Sequence, residues 1–352
     1  MFGEGWEKSK ERFEALWQNE KLDRNTICMK VWNKTDGPSL LEKLPPEEAW
    51  RCYMDETFIH ELLEEQMVHT TYFGDAFPSV SLYLGTCAHG AYTKKVDYSI
   101  SSESVWLHPV MDEITDPIEF DENSKFLHAT ARIIDYLAAR NDGRFIIANT
   151  DNCSNLDALA SLRGISNLLV DMTDEPEAVD AQLAVLHDIL QRTEQTFSAP
   201  ILASNGGSTA TDFMQLWSSG FHHQMQCDMA AMISPAMFER FAVPDIENCA
   251  KWMPRMVYHL DGQEQIRALD LILAIKGINL IQWTPVAGQP PTSAFIPELK
   301  RIQAAGKGLV LFPRAAEIPT LLSELAPKGL HFCPTDIHTA DEARAVMRLF
   351  EK

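Results

Sequence analysis

From Arg144 onward the chain repeats one pattern, a short apolar run followed by a segment with helical spacing. The runs occupy residues 145–148, 168–170, 225–229, 256–260, 278–283, 309–312 and 330–333. Each is strand-sized, and the segments between them can hold a helix. A crossover helix returns the chain to the same end of a sheet, so the predicted strands run parallel. The helix starts are marked in the sequence. Thr173-Asp-Glu-Pro176 places proline in a first turn, and Val179, Leu183, Leu186 and Leu190 follow along one face. Ser234-Pro235 opens a helix carrying Met237, Phe238 and Phe241, and Thr339-Ala-Asp-Glu342 is a capping-box pattern ahead of Ala343, Val346, Met347 and Phe350. This many βα units predict a (β/α)8 TIM barrel rather than a sandwich or bundle.

Residues 1–140 are less regular. Helices are expected over 5–17 and 46–68, followed by the aromatic stretch Thr71-Tyr-Phe-Gly-Asp-Ala-Phe-Pro78 and a loop-like segment to Pro117. No low-complexity linker separates this part from the rest. The reading is therefore one domain over 1–352, with 1–140 as a partly helical extension covering the cleft and 141–352 as the barrel.

The formal net charge of −20 lacks the basic footprint of a nucleic-acid binder. No apolar run approaches the roughly 20 residues of a membrane span, and the charged, amphipathic start does not read as a signal peptide. The expected setting is the cytoplasm. The seven cysteines are odd in number, scattered and never spaced as CxxC, which argues against a disulfide framework or a zinc knuckle.

In a parallel barrel the site is built at the C-terminal ends of the strands. Those ends carry Asn149 and Asp151, Gln226 and Asp228, His259 and Asp261, Gln282 and Trp283, and Cys333. His259 and Asp261, two apart on a strand, point to the same side. With Cys333 they supply imidazole, carboxylate and thiolate, three groups that bind Zn²⁺ with one position left open. The alternative is a core histidine with a local partner and an unrelated buried thiol. Asp228 and Asp151 are candidate acid/base groups, against a reading as turn or capping carboxylates. Asn149, Gln226 and Gln282 are candidate substrate contacts. Trp283, Tyr72 and Phe77 either wall a substrate or simply pack. His222 and His223, adjacent on a strand, face opposite ways and do not share one metal.

Several segments together resemble the uroporphyrinogen decarboxylase superfamily: Leu168-Leu-Val-Asp-Met-Thr-Asp-Glu-Pro-Glu-Ala-Val179, Cys227-Asp228, Ile233-Ser-Pro-Ala-Met-Phe238, Val243-Pro244, Tyr258-His-Leu-Asp-Gly262 and Phe332-Cys-Pro-Thr-Asp-Ile337. The resemblance implies a (β/α)8 barrel with a deep cleft. The arginine-bearing N-terminal motif of the decarboxylase branch is missing, its region reading Leu41-Glu-Lys-Leu-Pro-Pro-Glu-Glu-Ala-Trp50. The corrinoid-dependent methyltransferase branch binds zinc through an HxC pair and a later cysteine. His259 and Cys333 match the outer two ligands, and Asp261 replaces the middle one. The resemblance implies a zinc-dependent methyltransferase that moves a methyl group between a small methylated substrate or thiol and the cobalamin of a corrinoid-binding partner protein, with a homodimer allowed. The alternatives are a metal-free decarboxylase and an inactive barrel that binds a corrinoid protein.

Overall fold

The computed structural model describes residues 5–33, 37–85, 87–151 and 153–351. In chain order the strands are β1 (Thr26–Trp32), β2 (Thr70–Gly74), β3 (Ser79–Leu82), β4 (Asp97–Ile100), β5 (Val105–His108), β6 (Ile146–Thr150), β7 (Ser208–Thr211), β8 (Leu216–Ser219), β9 (His223–Gln226), β10 (Met256–Asp261), β11 (Ile278–Thr284), β12 (Gly308–Leu311) and β13 (Leu330–Phe332). The main sheet has the order β2-β1-β13-β12-β11-β10-β9; β1 and β9 to β13 pair parallel, and β2 runs antiparallel on the β1 edge. β3 and β6 form a separate parallel pair, while β4–β5 and β7–β8 are antiparallel hairpins.

Eight strands thus pair in parallel, in ladders of six and two. The ring expected of a barrel is not closed by strand pairing among the described residues. Individual hydrogen bonds cross the two gaps instead. Asn149 Nδ2 donates to the His222 carbonyl at 2.7 Å and Ser154 N to the Gln226 carbonyl at 2.8 Å, tying β6 to β9. Asp75 N donates to the Ile27 carbonyl at 2.7 Å, tying the β2–β3 connection to β1.

Strand alternation divides the core in two. Tyr258, Leu260, Ile281, Trp283, Leu309, Leu311 and Phe332 face the helices, whereas Val257, Leu280, Val310 and Cys28 face inward. The inner space is filled by the helix Trp6–Trp17, through Phe13, Leu16 and Trp17, and by the β7–β8 hairpin, through Met214, Leu216 and Trp217. Beneath them the buried Asp75 carboxylate accepts from Ser9, Arg12, Arg24 and the Ile27 amide, which fixes the N-terminal helix to the first strand. Among the described residues, no helix is long and apolar enough to cross a membrane.

Most of the expected elements from 145 on form, with two corrections. The run at 225–229 is a strand only to Gln226, beginning at His223, and Asp228–Ala231 turns into a 3-10 helix. Residues 168–170 are not a strand but part of the helix Ile165–Asp174. Leu168 and Met172, four apart, are buried while Val170 between them is exposed. A three-residue apolar run has no period of its own, so burial of one face decides its conformation. The expected helix over 46–68 is broken into Pro46–Glu48, Arg51–Met54 and Glu56–His69, because Asp55 leaves helical geometry to cap the third segment through Thr57 N and Phe58 N. β1 and β3, which belong to the parallel ladders, lie within residues 1–140.

Candidate active site at the sheet edge

The C-terminal ends of β6, β9, β10 and β11 bring together a group of carboxyls and amides. Asp228 follows β9, and its carboxylate accepts from Gln226 Nε2 at 3.1 Å. The backbone around it is set by Asp157, three residues after the cap Ser154 of the helix Asn155–Arg163: the Asp157 carboxyl accepts from Asp228 N at 2.9 Å and Met229 N at 2.8 Å. Burial lifts both carboxyls above the usual carboxylate range. Each is also affected by charge: Asp228 raises Asp157 further, while His259 opposes and Asp261 adds to the rise at Asp228. Asp151, joined to the Gln224 amide, is pushed up to about 7 by burial, with His223 opposing and Asp228 adding. A carboxyl lifted to about 7, as Asp151 is, is suited to giving and taking a proton during a reaction.

His259 sits on the neighbouring strand. Gln282 Oε1 accepts from Thr284 Oγ1 at 2.9 Å, and both groups contact His259 Nδ1, which orients the ring. The exposed ring of Phe213, at the tip of the β7–β8 hairpin, meets His259 edge-on at 5.8 Å and Phe312 at 6.4 Å. A cavity of about 640 Å³ adjoins this edge, with Tyr83, Cys87, Trp106, Asp157, Asp228 and Met232 in its wall. Trp106 and Met232 are exposed and give the cavity an apolar rim.

The other candidates separate. Cys333 does not join His259 and Asp261: its Sγ lies 3.2 Å from both the Met214 carbonyl and His331 Nε2, and burial raises its thiol strongly. The three donor sets do not lie within 4.8 Å of one another. A zinc ion therefore does not fit them as they stand. The cause is the hairpin, which lies along the inner face and occupies Cys333 through Met214. Trp283 is not a substrate wall: alternation turns it onto the helix side, 1% exposed and 5.0 Å from the Phe295 ring. Phe77 is likewise core, packed on Trp6 and Phe13 beneath the inner face. Tyr72 stands opposite Lys30 on the edge strand and does not line the cavity. Asn149 is committed to the His222 carbonyl, whereas Gln226 and Gln282 orient Asp228 and His259. The histidine pair divides as alternation requires, His222 to Thr209 and Thr211, His223 to Glu194 at 2.9 Å.

Two residues of the site went unread in the sequence. Asp157 carried a signal, since Ser154-Asn-Leu-Asp157 is a capping pattern. Phe213 carried none, because its place depends on how a hairpin packs far from its own strands. Between the outer helices, His187, Asp245 and Cys249 each offer a ligand atom, all within 4.8 Å of one another. Among the described residues they are the one such group of His, Cys, Asp and Glu, and they could bind a metal.

No family model matches the chain, and no curated protein matches it. Solved structures do. One is a methyltransferase from Methanosarcina mazei, matched with a TM-score of 0.60 over 97% of this chain and 97% of that chain at 11% identity. What the two share is the fold, a mixed α/β arrangement around a parallel sheet.

Proposed function

We propose that the chain is a methyltransferase built on a (β/α)8-type barrel, and that it moves a methyl group between a small thiol or methylated substrate and the corrinoid of a partner protein. The observation that carries this reading is the pair of carboxyls Asp157 and Asp228 in the wall of the cavity, both lifted by burial above the usual carboxylate range. It stands on a fold that matches a methyltransferase along its whole length.

In this reading the substrate occupies the cavity, with its apolar part against Trp106 and Met232. The Asp228 carboxylate takes the proton of a bound thiol as its sulfur becomes the methyl acceptor; the docked carrier would supply the methyl group and keep the electron pair of the bond it gives up. Gln226 holds the Asp228 carboxylate in line. Asp157 holds the Asp228 backbone. The corrinoid, when its carrier docks, supplies the cobalt centre that bears the methyl group. No step is assigned to zinc, because His259, Asp261 and Cys333 do not converge.

The test is turnover of methylcobalamin with a panel of small thiols, and of reduced cobalamin with methylated amines and ethers, followed by the cobalamin visible spectrum. Methyl transfer above the enzyme-free rate, lost in Asp228→Asn, is the expected result. A rate equal to the enzyme-free rate across the panel overturns the reading. A second reading, a metal-free decarboxylase with Asp228 or Asp151 as the acid/base group, is favoured by the carboxyl cluster itself. Release of carbon dioxide from uroporphyrinogen would establish it in place of the first.

A further inference from the structure

The cluster on the outer helices plays no part in the proposed reaction. His187 lies on the long helix Pro176–Ser204, and Asp245 and Cys249 lie one turn apart on Val243–Ala250, a spacing that puts both on one face. His187 Nδ1 is 3.7 Å from Cys249 Sγ and 3.9 Å from Asp245 Oδ1. Ligand atoms around a tetrahedral zinc ion, at about 2.0–2.3 Å from the metal, are about 3.3–3.6 Å apart. The observed edges exceed that by a few tenths of an ångström, which a side-chain adjustment closes.

The surroundings are those of a ligand set. The buried Asp245 carboxylate is oriented by Asn155, whose N donates to Oδ2 at 2.9 Å and whose Nδ2 donates to Oδ1 at 2.5 Å. Outer hydrogen bonds of this kind fix the direction of a metal-binding carboxylate. Cys249 is buried, and His187 has Trp252 edge-on at 6.4 Å, so the thiol side is apolar. On the other side lies a cavity of about 760 Å³, lined by Leu183, His187, Asp188, Asp245 and Trp252 among others, which gives an ion an entrance and room for a water as fourth ligand.

We infer that His187, Asp245 and Cys249 form a binding site for a thiophilic divalent cation of the zinc type, separate from the sheet edge. A thiolate with an imidazole favours zinc over magnesium or calcium, which take oxygen ligands. The cation ties the long helix to Val243–Ala250. Through Asp245 and Asn155 it also braces the start of the helix whose Asp157 holds the backbone of Asp228.

The test is titration of the reduced, full-length chain with Co²⁺ and then Zn²⁺. One equivalent of Co²⁺ is expected to give a near-ultraviolet thiolate-to-cobalt band that Zn²⁺ abolishes. Cys249→Ser removes the band, and His187→Gln weakens Zn²⁺ binding at least tenfold in competition with a chromogenic chelator, each with an unchanged circular dichroism spectrum. His259→Ala and Cys333→Ala keep the band. No band with the folded wild-type chain, or a band retained in Cys249→Ser, overturns the inference. So does a band lost only in Cys333→Ala, since that places the ion at the sheet edge. The cobalt band and the chelator competition are read without any methyl transfer, so the two conclusions fail independently.

Discussion

At the sheet edge the carboxyls Asp151, Asp157 and Asp261 lie within electrostatic reach of Asp228, which also feels the His259 imidazole, whereas on the outer helices one carboxyl, one imidazole and one thiol meet. The first cluster is rich in one ligand type, and burial lifts Asp151, Asp157 and Asp228 above the usual carboxylate range. The second is mixed, and its members share a geometry. The difference teaches that spacing along a strand is a weak guide to a metal site. His259 and Asp261 share a face by alternation, but the third donor belongs to a strand whose inner side is occupied by the β7–β8 hairpin. A helical turn plus one facing helix gathers three donors without passing through the crowded interior.

The sharpest way to break this comparison is to exchange effects between the clusters. Asp228→Asn should lower methyl transfer by about 10²- to 10⁴-fold, the usual scale for a lost acid/base group, while Cys249→Ser leaves the rate within about twofold; steady-state rates at saturating thiol decide it. Next in size is Asp157→Ala, which leaves the amides of Asp228 and Met229 without their acceptor. Urea unfolding should show a loss of about 2 kcal/mol, chiefly from the buried Met229 amide, an unpaired buried donor costing about 1–3 kcal/mol.

Asp151 predicts a pH dependence. Its folded value is about 7 and its unfolded value lies near the ordinary 3.8, so the native state binds the extra proton between them. The contribution to stability is full below pH ~4 and is lost as pH rises through about 7. Asp151→Asn should flatten the decline over that window by on the order of 2 kcal/mol, allowing for partial solvent access. Unfolding midpoints at pH 4.5 and 8, each compared with wild type, measure it; an unchanged decline would show that Asp151 is not its source. The smallest effect belongs to Ser154→Ala. It removes the cap of the helix joining the two clusters, at a cost of about 1 kcal/mol in urea unfolding with an unchanged slope.

The parallel strands β6 and β10 to β13 were legible because each is an apolar run bounded by capping signals, as Thr339 and Glu342 show by forming both bonds of a capping box; β9, His223-Gln-Met-Gln226, is too polar to be placed from its own sequence. β1 and β3 were not, since their mixed sequences gain meaning only from a partner strand far along the chain. Of the site, the carboxyls Asp151 and Asp228 could be picked out at strand ends. Trp283 could not be placed correctly from composition alone, because one step along β11 separates the cavity side from the helix side. The gathering of His187 with Asp245 and Cys249 left no linear trace, being a contact between helices some sixty residues apart.

β1 has one further consequence, for the chain as it is made. Its parallel neighbour is β13, and the Thr26 hydroxyl reaches the Leu330 carbonyl across 304 positions of sequence. At a synthesis rate of about 5–20 residues per second, the emerging strand waits on the order of 15–60 seconds for that neighbour. Until then β2 can cover one edge, and the other edge presents its unpaired amides and carbonyls to whatever passes. The long-range pairing that completes the sheet also makes its first strand the part of the nascent polypeptide most open to wrong partners.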